Sequence, residues 1–202
     1  FPGVHFMPIA LKREDSDSTI IPRGNTIFCE CDHVYFITNK KGLKELYNLM
    51  GTEKQKVKNV MILGAGRVGS KLSKDLSLEG LNIKLIEINE QKANDIAEEL
   101  PNLMVLNVDG RNLDLLVEEN LESMDAFIAT SGDSETNIMS CMMAKSKKVK
   151  KTIALVENMD YFNLSQSIGI DSLINKKLLA ANDIFKFVRN GDIVELAMLN
   201  DM

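Results

Sequence analysis

The sequence predicts an α/β fold: a doubly wound parallel sheet of about six strands, preceded by part of a small α+β lobe. Three observations carry that expectation. From residue 59 onward, short apolar runs alternate with stretches of helical periodicity, the order that builds a parallel sheet with helices on both faces. The first apolar run, residues 60–63, is followed at once by Gly64, Gly66 and Gly69 and then by a helix pattern. The next strand pattern, residues 82–88, carries Glu87, 18 residues past the last of those glycines.

The first 51 residues have a different texture. Residues 9–12 and 19–21 read as short strands around the polar loop 13–18, and Pro22-Arg23-Gly24-Asn25 is a turn signal. Residues 26–29 and 33–38 read as two more strands, with Cys31-Asp32 as the tight connection between them. Leu43, Leu46, Tyr47 and Met50 repeat at helical spacing, and Gly51 closes that helix. A sheet with one helix in some 50 residues is marginal alone. Residues 52–58 are polar and lysine-rich and mark the boundary.

Beyond the linker each element has its own signal. Val68, Leu72, Leu76 and Leu78 share one side of a helix over residues 68–78. After the strand ending on Glu87, a helix over 91–100 is stopped by Pro101. A third strand, 104–108, ends in Asp109-Gly110, and a short helix over 113–119 leads to a fourth strand, 126–129. Thr130-Ser131-Gly132-Asp133 then opens a helix over 134–145 that holds Met139, Met142 and Met143, a stripe expected to fill core. A fifth strand, 152–156, a helix near 161–168 and a sixth strand, 172–174, complete the alternation. A last helix, 178–188, is surplus to the sheet, and its apolar stripe packs on the domain or on a second copy. Arg189-Asn190-Gly191-Asp192 ends it. Five lysines within residues 145–151 read as a solvated helix end, suited to the negative end of a helix dipole; a membrane-surface or acidic-partner contact is the sharper alternative.

The glycine spacing has a physical reading. Gly64 permits a tight turn off the strand, Gly66 keeps side chains away from a pyrophosphate, and Gly69 lets the helix lie close to the sheet. The free N–H groups and positive end of that helix then face the phosphates. Glu87 can accept both hydrogen bonds of an adenosine ribose diol and repels a 2′-phosphate, which favours NAD over NADP. Ligands in such sheets bind across the carboxyl ends of the strands, where Asp109, Gly110, Thr130 and Ser131 also lie. Asp109 meets the adenine edge, directly or through Gly110 or Arg111, or caps a helix. Thr130 and Ser131 are placed to meet a phosphate or ribose, and Arg67 to reach the pyrophosphate.

Composition narrows the classes. Hydrophobic residues make up 45% and charged residues 26%, ordinary for a soluble globular protein. A net charge of −5 gives nucleic-acid binding no support. No apolar run approaches the roughly 18 residues that cross a bilayer. Three cysteines form no disulfide framework and read as reduced cytoplasmic thiols, and Cys29-Glu30-Cys31 lacks zinc-knuckle spacing. His5 and His33 fall in the first 51 residues, no Tyr-x-x-x-Lys occurs, and no catalytic or metal site is expected. The chain starts on Phe1 and stops within an apolar stretch, 193–199, and is expected to be a piece of a longer one.

The run Val60-Met-Ile-Leu-Gly-Ala-Gly-Arg-Val-Gly-Ser-Lys-Leu-Ser73, Glu87, the segment Ala129-Thr-Ser-Gly-Asp-Ser-Glu-Thr-Asn-Ile138 and the late segment 178–192 closely resemble the TrkA family of potassium-uptake regulators, whose nucleotide-binding domain is called KTN or RCK. Residues 18–37 resemble the end of that family's small C-terminal lobe, with Cys31-Asp32 where Gly-Asp is usual. The resemblance implies a layout: 1–51 the tail of an RCK-C-like lobe, 52–58 a linker, 59–190 a Rossmann-type NAD-binding lobe, and 191–202 the start of the next lobe. It also implies a non-catalytic regulatory subunit, cytoplasmic and peripheral on the inner face of the plasma membrane, that gates a Trk-type membrane potassium channel in response to NAD(H), with ATP or ADP as alternative ligands of the same site. Self-association through paired lobes into a homo-oligomer is implied as well. The phosphate-holding stretch is then Gly64, Ala65, Gly66, Arg67, Val68 and Gly69, with Glu87 on the ribose, Asp109 and Gly110 on the adenine side, and Thr130 and Ser131 on the far side. Val108 stands where the family commonly has Gly. The competing readings are an NAD-dependent oxidoreductase whose substrate domain lies elsewhere, and an S-adenosylmethionine methyltransferase, against which Gly69 argues.

Overall fold

A computed structural model of the chain describes residues 5–13, 18–51, 56–158, 161 and 169–188. They form two compact units that divide between Lys56 and Val57.

The smaller unit holds a three-stranded antiparallel sheet in the order β2-β1-β3, built from β1 (Phe6–Lys12), β2 (Thr19–Ile20) and β3 (His33–Thr38), followed by α1 (Lys40–Leu49). β1 begins three residues before its predicted start, because Phe6, Met7 and Pro8 pair with Thr38, Ile37 and Phe36. The register then slips between Pro8 and Ala10. Proline has no N–H for the ladder, and a bulge is where a central strand tolerates it. Phe6, Ala10, Leu11 and Leu46 form the buried apolar set, and the rings of Phe6 and Phe36 meet edge to face at 5.8 Å between centroids. The Asn39 side chain caps α1, accepting from the N–H groups of Lys41 and Gly42, and Gly51 ends the helix at φ +62.

The strand predicted over 26–29 does not form. Thr26 is tied into a turn with Arg23, each backbone N–H reaching an oxygen of the other residue at 2.9 and 2.8 Å. Cys29 is likewise tied to Asp32, its N–H donating to Oδ2 at 2.7 Å while Asp32 N–H donates to the Cys29 carbonyl at 3.3 Å. Both ends of the segment are thus committed to turns.

The larger unit is a six-stranded parallel sheet in the order β6-β5-β4-β7-β8-β9. Its strands are β4 (Asn59–Leu63), β5 (Asn82–Ile86), β6 (Met104–Leu106), β7 (Ala126–Ala129), β8 (Lys151–Val156) and β9 (Ser172–Asn175). The helices are α2 (Arg67–Leu78), α3 (Glu90–Glu99), α4 (Leu113–Glu118), α5 (Ser134–Ser146) and α6 (Lys176–Val188), with a 3-10 turn at Leu121–Ser123. Counted within the unit this order is 3-2-1-4-5-6, so the direction of winding reverses between β4 and β7. Alternate residues of β4 face opposite layers. Val60 and Ile62 join Leu72, Leu76, Ile83, Leu85 and Ile96, whereas Met61 and Leu63 join Leu116, Leu121, Phe127, Ile138 and Cys141. Full burial of each such side chain contributes about 1.5–3 kcal/mol. Among the described residues no helix is long and apolar enough to cross a membrane.

Two expectations change here. Met139 and Met142 are exposed; the core side of α5 is Asn137, Ile138, Ser140, Cys141 and Ala144. These mostly small residues at helical spacing let α5 lie close to the sheet, while Met139 and Met142 fall on the other side and Met143 is half-buried. The lysine run is partly neutralised: Lys145 pairs with Asp171 at 2.6 Å, Lys147 with Glu122 at 3.4 Å and Lys150 with Asp125 at 3.8 Å. Apart from Tyr161, the helix expected near 161–168 lies outside the described residues, as do the helix-ending segment 189–192 and the apolar stretch 193–199.

Candidate functional site

β4 ends at Leu63 and α2 begins at Arg67, so three residues reverse the chain. Gly64 takes φ +94, a region that L side chains rarely adopt. Gly69 serves contact: a Cβ there would lie 1.8 Å from the Gly64 carbonyl oxygen and 2.7 Å from Thr130 Oγ1. Gly66, the N-cap of α2, is different. A Cβ at Gly66 would meet nothing within 4 Å, and no side chain caps the helix. The first-turn amides of a helix have no acceptor inside it.

β5 stops at Ile86, and Glu87 is the first residue beyond it rather than its last. The Glu87 N–H still donates to Leu106 O at 3.0 Å, but its carbonyl accepts from Asn107 Nδ2 at 2.9 Å, where the chain turns toward α3. Its carboxylate is buried and accepts two backbone N–H groups, from Ala65 at Oε2 and from Asn89 at Oε1, both at 2.9 Å. Ala65 therefore acts through its amide, joining the glycine turn to the acid. Each Glu87 oxygen keeps a lone pair for a further donor.

Asp109 neither caps α4 nor stands alone. Asn112 is the cap, accepting from Asp114 and Leu115. The Asp109 carboxylate instead grips Arg111, accepting from Nε at 3.0 Å, from Nη2 at 2.8 Å and from the backbone N–H at 2.9 Å. These bonds hold Asp109 below the ordinary carboxylate value and push Arg111 further up. Gly110 is a packing glycine, since a Cβ there would lie 2.1 Å from Leu63 Cδ1.

The loop after β7 completes the site. Thr130 is buried, and its hydroxyl lies 3.0 and 3.1 Å from the carbonyls of Leu63 and Gly64, so its proton is engaged by the glycine turn. Ser131 is bound by the Asn137 side chain through its N–H at 2.9 Å and its hydroxyl at 2.7 Å. Asp133 caps α5, accepting from Thr136 N–H at 2.8 Å, and Thr136 holds its carboxyl below the usual range.

These elements surround a cavity of about 440 Å³ at the carboxyl ends of β4, β5 and β7, where the strand order reverses. That volume is in the range of small-molecule pockets. Of the expected residues, Gly64, Gly66, Glu87, Asp109, Gly110, Thr130 and Ser131 line it. Ala65, Arg67, Val68 and Gly69 do not. Arg67 and Val68 point to the exposed side of α2, while Ala65 and Gly69 act through an amide and through packing. Lys92, Arg111, Gly132, Asp133 and Thr136 are additional lining residues. Lys92 had a signal in its place in the first turn of the helix after the acid. With three carboxylates (Glu87, Asp109, Asp133) against two cations (Lys92, Arg111), the cavity would meet a phosphate with backbone amides and a helix end more than with net charge. The open space at Gly66 suits such a group.

A family model described as the TrkA-N domain matches residues 60–176, and one described as the TrkA-C domain matches residues 1–51. The Trk system potassium uptake protein TrkA of Vibrio alginolyticus is 34% identical over 180 residues, which is 89% of this chain and 39% of that protein. The chain thus spans about two fifths of the length of such curated relatives. Among solved structures, the TrkA-N domain of the inner membrane protein ybaL from Escherichia coli aligns with a TM-score of 0.60 at 17% identity, over 67% of this chain and 99% of that one. The GsuK channel bound to NAD aligns at 0.57 and 18%, over 91% and 32%. GsuK bound to ADP aligns at 0.56 and 16%, over 64% and 34%. At these identities the structural likeness is one of fold.

Proposed function

The chain belongs to the TrkA-N domain family, and from that premise we propose that it is a nucleotide-binding regulatory part of a Trk-type potassium-uptake system. Its ligand is NAD(H), with ATP or ADP as alternative occupants of the same site. Residues 59–190 form the nucleotide-binding lobe, 1–51 the end of an RCK-C-like lobe joined through 52–58, and 191–202 the opening of the next. The protein works at the inner face of the plasma membrane, reaching the membrane only through the potassium channel subunit it gates, and self-associates through paired lobes.

The observation that carries this reading is the open space over Gly66 together with the Glu87 carboxylate, both lining one cavity at the reversal of strand order. The amides at the start of α2 receive the pyrophosphate, and the free lone pairs of Glu87 receive the ribose diol. The relatives' names and the GsuK structures bound to NAD and ADP support the ligand class. A sensor is favoured over a hydride-transfer enzyme because both histidines, His5 and His33, belong to the unit that does not hold the cavity. Gating follows from population shift: the ligand biases the paired lobes only by its difference in affinity between their arrangements.

Calorimetric titration of the chain with NADH, NAD⁺, NADPH, ATP and ADP tests the reading. NADH or NAD⁺ binding that exceeds NADPH binding, with the preference reduced in Glu87→Gln, is expected. A folded chain that gives no heat with any of the five would overturn it.

A further inference from the structure

Asn137 stands behind the cavity wall without lining it. It is 1% exposed and uses its full hydrogen-bonding capacity. Oδ1 accepts from the N–H and hydroxyl of Ser131, at 2.9 and 2.7 Å. Nδ2 donates to the carbonyls of Ser131 at 3.1 Å and Leu155 at 2.7 Å. Two donors face the oxygen and two carbonyls face the nitrogen, so the amide has one orientation. It holds both backbone polar groups of Ser131, as a neighbouring strand would, and ties them to β8.

We infer that Asn137 is a positioning residue that presets the β7 loop, and that this presetting sets the preference for a dinucleotide over a mononucleotide. The inference rests on the nucleotide-binding reading above. In that reading the Glu87 side of the cavity takes the adenosine half, which ADP and NADH share. The lining residues contributed from beyond β7, Ser131, Gly132 and Thr136, meet the half that only NADH has. A wall already ordered before the ligand arrives needs no ordering on binding. Without the Asn137 bonds the loop after β7 is released from β8, and that cost falls on the ligand that reaches it. The Asn137 amide touches no ligand itself and acts through Ser131.

The test is titration calorimetry of the chain with NADH and with ADP, for wild type, Asn137→Ala and Ser131→Ala. In Asn137→Ala the NADH dissociation constant rises about tenfold, the scale of leaving one loop residue to be ordered on binding, while that of ADP stays within about twofold. Ser131→Ala removes one of the four Asn137 bonds together with the hydroxyl's contacts to the Asp133 carbonyl and N–H, and shifts NADH in the same direction by about threefold. If Asn137→Ala does not fold, Asn137→Ser, which shortens the side chain so that it cannot reach both Ser131 and the Leu155 carbonyl and alters no cavity-lining residue, decides the matter by the same NADH and ADP comparison. Equal losses for both ligands, or no loss for NADH, overturn the positioning role while leaving nucleotide binding intact. A folded wild-type chain that binds neither ligand overturns the underlying reading and this inference with it.

Discussion

Replacing Gly69 or Gly66 by alanine adds the same methyl group to two positions three residues apart, with opposite expected consequences. At Gly69 the new Cβ lies 1.8 Å from the Gly64 carbonyl oxygen, where such atoms need at least 3.0 Å, and 2.7 Å from Thr130 Oγ1. α2 must move away from the strand, an overpacking cost of about 1–3 kcal/mol. Weakening the Thr130 bond to the Leu63 and Gly64 carbonyls adds about 0.5–1.5 kcal/mol. Alanine's better helix propensity offsets about 1 kcal/mol of that. The net loss is about 1–3 kcal/mol, a fall in Tm of roughly 3–10 °C for a chain of this size. At Gly66 nothing lies within 4 Å of the new methyl, so Tm changes by no more than about 2–3 °C. Its methyl instead fills the space left for a phosphate, and NADH affinity falls by about tenfold or more. Thermal unfolding followed by circular dichroism, paired with NADH titration, separates the two effects. An unchanged Tm for Gly69→Ala, or full NADH affinity for Gly66→Ala, would refute the division of roles.

Asp125 fastens the start of β4, accepting from the N–H groups of Asn59 at 3.1 Å and Lys58 at 3.0 Å. Those bonds, with the nearby Lys150, hold its folded-state carboxyl below its ordinary 3.8. A depressed acid contributes stability that is complete above 3.8 and is lost as the pH falls through the folded value. Wild type should therefore exceed Asp125→Asn in Tm at pH 6, and the gap should close below pH 3.8; a gap independent of pH would contradict the assignment. Burial pushes the Cys141 thiol up to about 12, whereas Cys29 and Cys31 are exposed. A disulfide reagent at pH 8 should label Cys29 and Cys31 in the folded chain and Cys141 only after unfolding; rapid native labelling of Cys141 would show that β8 and α5 separate readily.

The parts of the fold that were legible in the sequence are those whose cause is local. The strand, glycine turn, helix, strand and acid from residue 59 to Glu87 lie within one stretch of chain, and each boundary has its own chemical signal. Where boundaries shifted, the cause was distant: β1 reaches back to Phe6 because β3 pairs with it. Residues 26–29 look like a strand by composition, but Thr26 and Asp32 turn their oxygens on nearby amides and claim its ends. The methionines of α5 have helical spacing, and spacing alone does not say which side of a helix meets the sheet. In the site, residue types were readable and partnerships were not. Asp109 was visible as an acid at a strand end, yet its bond to Arg111 depends on the turn geometry between them. Asn137 gave only the signal of a residue four places past Asp133, and its role requires β8 to lie beside β7.

The described helices differ at their amino ends in a way that bears on how the protein responds. α1, α3, α4, α5 and α6 each begin on an Asn or Asp side chain that takes up one or two of their first amides: Asn39, Asn89, Asn112, Asp133 and Asn175. α2 begins on Gly66 with no such group. A side-chain cap typically contributes about 0.5–2 kcal/mol to its helix. Among the described α-helices, α2 alone is left without a side-chain cap, at the place where an anion would supply one. In the proposed complex, occupancy of the cavity would add to the stability of a first turn that is already formed, its Ser70 N–H donating to the Gly66 carbonyl at 2.9 Å. In the nucleotide complex proposed above, the phosphate would serve as the sixth cap, and the ligand would supply a structural part that the other five helices take from their own side chains.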